Sequence, residues 1–170
     1  MWNRSRNLAF FWIFALFLVQ NSLHFLFSER VPWILLSGVL FYAMAEGPAF
    51  GMLIGSYAGF FPDLFGTERI GISMAIFGVL GLLSGFSGAK LFNESPVTQV
   101  LLPSLAYYLA AWLNLFIQRV VLQDEAFSFG LFRDAFLPLP LVLTAVSSPL
   151  VFFYLKKLTP VNRRRRSAWG

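Results

Sequence analysis

The chain contains no cysteine and a single histidine, His24. A disulfide scaffold, a thiolate nucleophile and a Cys/His metal site are thereby excluded. Charge is equally scarce: 12% of the residues are Asp, Glu, Lys or Arg, about half the share that covers an ordinary soluble domain. That supply cannot clothe a water-soluble globule of 170 residues. Disorder is excluded as well, because 58% of the chain is hydrophobic and 18% aromatic, whereas disordered segments are charge-rich and aromatic-poor. What the chain does have is long apolar runs, and its mean hydropathy is +0.69. The reading is an all-α, polytopic membrane protein.

A membrane-crossing helix needs about 20 predominantly apolar residues. The runs place six spans, at about 8–27, 33–47, 49–65, 70–90, 97–122 and 135–155, in one compact bundle filling residues 1–158. The first is too long for a cleavable signal peptide and lacks a small-x-small site before Ser28-Glu29-Arg30. The second and third are short and meet at Glu46-Gly47-Pro48, so they read as two tightly joined helices or as one helix broken at Pro48. The third is expected to stop at Pro62-Asp63. With both termini in the cytoplasm, the inner side carries Arg4, Arg6, Lys90, Lys156, Lys157 and Arg163 to Arg166. The outer side carries Arg30, Arg69, Arg119 and Arg133. This bias is the positive-inside pattern. Residues 159–170 form a basic tail in which Arg163, Arg164, Arg165 and Arg166 are expected to contact anionic lipid headgroups. Nucleic acid is not an expected partner.

No serine sits in a nucleophile elbow and no Gly-rich loop leads into Lys-Ser or Lys-Thr. Neither catalysis nor a cofactor or metal is expected. Gln20, Asn21 and His24 form a polar stripe on the first span, which reads either as a hydrogen-bonding face toward neighbouring helices or as the lining of a ligand pocket. Glycine carries more information. Eleven of the thirteen lie between Gly38 and Gly88. Gly51, Gly55 and Gly59 recur every four residues and share one helix face. Gly78, Gly81, Gly85 and Gly88 repeat the pattern in the fourth span. Inside a bilayer such faces let two backbones approach, so the third and fourth spans are expected to pack closely. Glu46 and Asp63 are expected at the inner and outer ends of the third span, Asp63 in a turn before the fourth helix.

The stretch Gly51-x3-Gly55-x3-Gly59-x3-Asp63-x2-Gly66-x4-Gly71, followed by an apolar Gly-bearing helix, resembles the MreD family of rod shape-determining proteins. Two features depart from that pattern: Pro62 directly before Asp63, and the short spacing from Asp63 to Gly66. The resemblance implies a non-enzymatic, multi-pass subunit of the bacterial cytoplasmic membrane. It would bind the bitopic protein MreC and work with MreB, RodA and a penicillin-binding transpeptidase in lateral peptidoglycan synthesis. The competing expectation is a substrate-binding subunit of an energy-coupling-factor-type vitamin transporter, also small, Gly-rich and about six-helical, with Gln20, Asn21, His24, Asn114 and Gln118 as its sparse polar candidates.

Overall fold

The computed structural model describes residues 4–27, 33–65, 71–91, 96–117 and 138–158. All regular structure among them is helical: α1 (Arg4–Phe27), α2 (Ile34–Glu46), α3 (Pro48–Phe65), α4 (Ile72–Leu91), α5 (Pro96–Phe116) and α6 (Pro138–Leu158). Three contain segments long and apolar enough to cross a membrane, Arg6–Leu26, Gln99–Phe116 and Leu141–Leu158. The part of the fifth span expected beyond residue 117, together with Gly66 and Arg163 to Arg166, lies outside the described residues.

The shortest of the described helices sits at the centre. Every residue of α2 from Ile34 to Met44 is buried, as expected of a helix apolar on all sides. It touches each of the other five described helices. Its thirteen residues rise about 20 Å, short of the roughly 30 Å of a hydrocarbon core. One residue joins α2 to α3. Gly47 donates its N–H to the Ala43 carbonyl at the end of α2, and its own carbonyl accepts the first hydrogen bond of α3 from Gly51. Its φ of +99° is open to glycine at little cost, and Pro48 follows at the first helical position, where a missing N–H loses nothing. Of the two arrangements open at Pro48, the chain takes the two-helix one.

α3 uses two faces differently. Toward α1 it is aromatic: Phe10 lies edge-on to Phe50 and Tyr57, Phe14 is tilted against Phe61, and Phe17 stacks on Phe61 and Phe65. Toward α4 it has almost no side chains. A Cβ built at Gly51, Gly55 or Gly59 would collide with the backbone carbonyl of Gly81, Phe77 or Ser73 respectively. Gly81 and Gly85 return the contact, against Gly51 and against the backbone of Pro48. Each four-residue advance along α3 is matched by a four-residue retreat along α4, the register of an antiparallel pair in backbone contact. Gly78 differs, since its hypothetical Cβ meets the Ser56 hydroxyl, a side chain. The α3–α4 contact is the most extensive between any two helices described.

α3 ends at Phe65, as the span 49–65 expects, but the expected stop at Pro62-Asp63 needs correction. Pro62 and Asp63 lie inside the helix, which runs on to Phe65, so Asp63 belongs to the last turns of α3 and not to the following turn. A proline tolerated near a helix end forfeits one hydrogen bond, to the carbonyl four residues back.

The seam predicts a steep contrast. Replacing Gly55 or Gly59 by Leu forces two backbones apart and costs about 3 kcal/mol, the upper end of ordinary overpacking. Ala75→Leu, at an exposed position on α4, should be near neutral. Thermal unfolding of the detergent-solubilised variants checks both.

Candidate functional site

The first N–H groups of a helix have no intrahelical acceptor, and a buried helix start must find one elsewhere. Normally the N-cap side chain supplies it, bonding the second or third helical N–H. At α4 the N-cap is Gly71, whose carbonyl accepts from Ala75 and which has no side chain to offer. Asp63 does the work from α3. Its Oδ2 accepts from the N–H of Gly71 at 2.8 Å and of Met74 at 3.0 Å, and its Oδ1 accepts from Ser73 at 2.9 Å. The side chain is 2% exposed. Three N–H donors converge on one carboxylate at the positive end of the helix dipole, and each such charge-assisted bond contributes about 1.5–3 kcal/mol.

α2 starts by the same device. Its N-cap is Trp33, which makes no side-chain capping bond. Gln20, from α1, accepts from the Leu35 N–H at 2.9 Å, and Thr144, from α6, accepts from the Trp33 N–H at 3.0 Å. In both hairpins the second helix is capped by a side chain from the first. The Gln20 amide therefore performs a structural task. Asn21 and His24, the other members of the expected stripe, are exposed, so the three do not converge on one point.

A third polar junction joins α5 to α6. Pro103 and Pro149 lie inside these helices, and each leaves the carbonyl four residues earlier without its usual donor. Those carbonyls belong to Gln99 and Ala145. The Ser148 hydroxyl lies 2.7 Å from the first and 3.1 Å from the second, so one buried O–H serves both. At the opposite end of the bundle from Asp63, Arg6 of α1 pairs with Glu46 of α2 at 3.3 Å. Its guanidinium also lies over the Phe50 ring, 5.2 Å from the centroid. The start of α1 and the end of α2 are thus on one side, as in an antiparallel helix pair.

The expected residues accordingly divide. Gly51, Gly55, Gly59, Gly81 and Gly85 form one seam and Asp63 terminates it. Gly78 sits beside it, and Gly71 serves through its backbone. Thr144, Ser148 and the Arg6–Glu46 pair were not singled out in the sequence. Prolines inside two apolar runs were the available signal for Ser148, since each announces a carbonyl in need of a donor. Comparison with protein-family models, curated proteins and solved structures finds no match for this chain.

The caps rank by how many donors they serve. Asp63→Asn keeps one acceptor oxygen and turns an NH2 toward N–H groups, so about 2 kcal/mol of stability is lost. Asp63→Leu, which orphans all three donors, should cost more than either Asp63→Asn or Gln20→Leu, which orphans one. His24→Leu should change little. Melting temperatures measured in one detergent give the order.

Proposed function

We propose that this chain is a non-enzymatic, multi-pass subunit of the bacterial cytoplasmic membrane that acts as MreD proteins do. It would bind a bitopic MreC-type partner and hold it within the cell-elongation assembly of MreB, RodA and a penicillin-binding transpeptidase. The observation that carries this reading is the work done by the Gly51-Gly55-Gly59-Asp63 series. The residues that resemble the family's pattern build one continuous feature, a glycine seam ended by a carboxylate that caps the next helix. Gln20, Thr144 and Ser148 are spent on a helix start and on proline-freed carbonyls, which is the economy of a scaffold. A vitamin-binding subunit would gather such groups around a ligand. Gln20 is engaged in a cap and His24 is exposed, so the transporter reading receives no comparable support.

In this proposal all six helices lie within the membrane, with both termini in the cytoplasm and the Arg6–Glu46 pair at the inner end. Because the chain has no native cysteine, single cysteines report sidedness cleanly. A cysteine at Phe65 should react with an impermeant maleimide in intact cells, and one at Lys157 should react only after permeabilisation. Function is tested by deletion. Loss of the gene should turn rods into spheres and release the bitopic partner from the assembly, with vitamin uptake unaltered. Complementation by Asp63→Asn should be poorer than by His24→Leu. A small molecule retained through purification and lost in the His24 variant, with cell shape intact, would replace this assignment by the transport one.

A further inference from the structure

At the Asp63 end of the bundle the helices stop at different heights. Across the α2–α3 hairpin a Cβ on Gly51 would meet Ala43, and across α3–α4 a Cβ on Gly59 would meet Ser73. Counted from those pairs, Ile34 and Ile72, the first residues of α2 and α4, stand at about one level. The other four described helices run past it. α1 continues from Gln20, bonded at the start of α2, to Phe27, about 10 Å further. α3 continues from Gly59 to Phe65, and α6 begins at Pro138, ahead of Thr144, each about 9 Å. α5 runs from Tyr107, whose ring meets Trp33 edge-on, to Phe116, about 13 Å. The axis of the bundle at this end is therefore a recess about 9 Å deep, floored by the start of α2, with the start of α4 as its low side.

Side chains change character at the same level. On α1, Ala9, Ile13 and Phe17 form a buried line, which Gln20 and His24 continue at helical spacing. His24 is nevertheless exposed, because α2 has ended below it. On α5 the buried line of Pro103, Tyr107 and Ala110 leads to Asn114, which is half-buried. The floor has donors still to satisfy. Trp33 and Leu35 donate to Thr144 and Gln20, and Ser37 donates to the Trp33 carbonyl. The N–H groups of Ile34 and Leu36 meet no acceptor among the described residues. Such groups are costly in dry hydrocarbon, and a bound water removes that cost.

We infer that this recess is an aqueous vestibule, open to the outside, that admits water and small hydrophilic solutes as far as Trp33. It rests on the proposed placement of the bundle in the membrane, with α2 starting at the outer end. The vestibule accounts for three observations together: a histidine exposed on a line that is buried below it, an amide next on the corresponding line of α5, and two helix-start donors awaiting an acceptor. It also accounts for the length of α2. The thirteen residues of that helix rise about 20 Å, and with water standing on Trp33 that is the whole barrier left at the axis. The ring of Trp33, held against Phe77 and Tyr107, closes the floor, and Ser37, one turn below, is fully buried.

The test uses the full chain in intact cells and a small, anionic, membrane-impermeant methanethiosulfonate, which attacks thiolates. His24→Cys and Trp33→Cys should react within about tenfold of the rate at Phe65→Cys on the exposed end of α3. Val19→Cys and Val146→Cys sit near the levels of Gln20 and Thr144 but on faces exposed outside the bundle. A thiol there lies in hydrocarbon and stays protonated, so these two should react about a hundredfold more slowly. Ser37→Cys, beneath the floor, should not react. Trp33→Cys gives up two ring contacts, so the native residue is read as well: a chain keeping Trp33 as its one tryptophan, the others replaced by Phe, should be quenched by iodide added outside. Unreactive His24→Cys and Trp33→Cys beside a reactive Phe65→Cys, with Trp33 unquenched, would overturn the inference. So would equal reaction at Val19→Cys and Val146→Cys, which would put the helix ends clear of the membrane, or reaction at Ser37→Cys. Failure of the topology itself shows separately, as a Phe65→Cys that reacts only after permeabilisation.

Discussion

The backbone-to-backbone approach of α3 and α4 is the constraint on which the rest of this structure depends. Within a bilayer, where the proposal puts this pair, apolar side chains would gain nothing by leaving acyl chains for one another, so close packing would supply the attraction. Gly51, Gly55 and Gly59 remove the side chains that would hold the helices apart. That approach brings Asp63, one turn beyond Gly59 on the same face, to the start of α4. At ordinary interhelical distance the short aspartate side chain would not reach Gly71, Ser73 and Met74 together. The seam and the cap are one device: the glycines set the distance, and the carboxylate fixes the register at its end.

Once this pair is set, the other contacts follow in order. α3 has given one face to α4 and offers its aromatic face to α1. α2, attached through Gly47 alone, is left with the space between them and becomes the buried axis. Its start is satisfied from two directions, by Gln20 and by Thr144. α5 and α6 close the remaining side, joined where Ser148 meets the carbonyls released by Pro103 and Pro149. Asp63, Gln20, Thr144 and Ser148 thus act where helical hydrogen bonding is interrupted, at two helix starts and two prolines.

Much of this was legible in the sequence, for identifiable reasons. Apolar runs between charges located the six described helices, because hydrophobic length is a strong local signal. The glycine spacing announced the α3–α4 seam, because periodicity on one helix states which residues share a face. What the sequence did not disclose was partnership across helices. Gln20 read equally as pocket or packing residue, since nothing on α1 says which atom of α2 lies opposite. Arg6 and Glu46 were both expected at the inner end, yet forty positions separate them and no local pattern pairs them. Asp63 was expected in a turn because Pro62 precedes it. The helix absorbs that proline near its end, and the carboxylate acts from within α3.

α2 also has a consequence for how the protein is made. A ribosome delivers it second, yet on its own it is too short to rest across a bilayer, and it exposes a helix start with nothing to bond. Thr144 reaches the Trp33 N–H from a helix that emerges more than a hundred residues later. The second segment to be synthesised is thus the last to be fully housed. Until the final helix arrives, the centre of the bundle must be held by its neighbours α1 and α3, to which short connections already tether it.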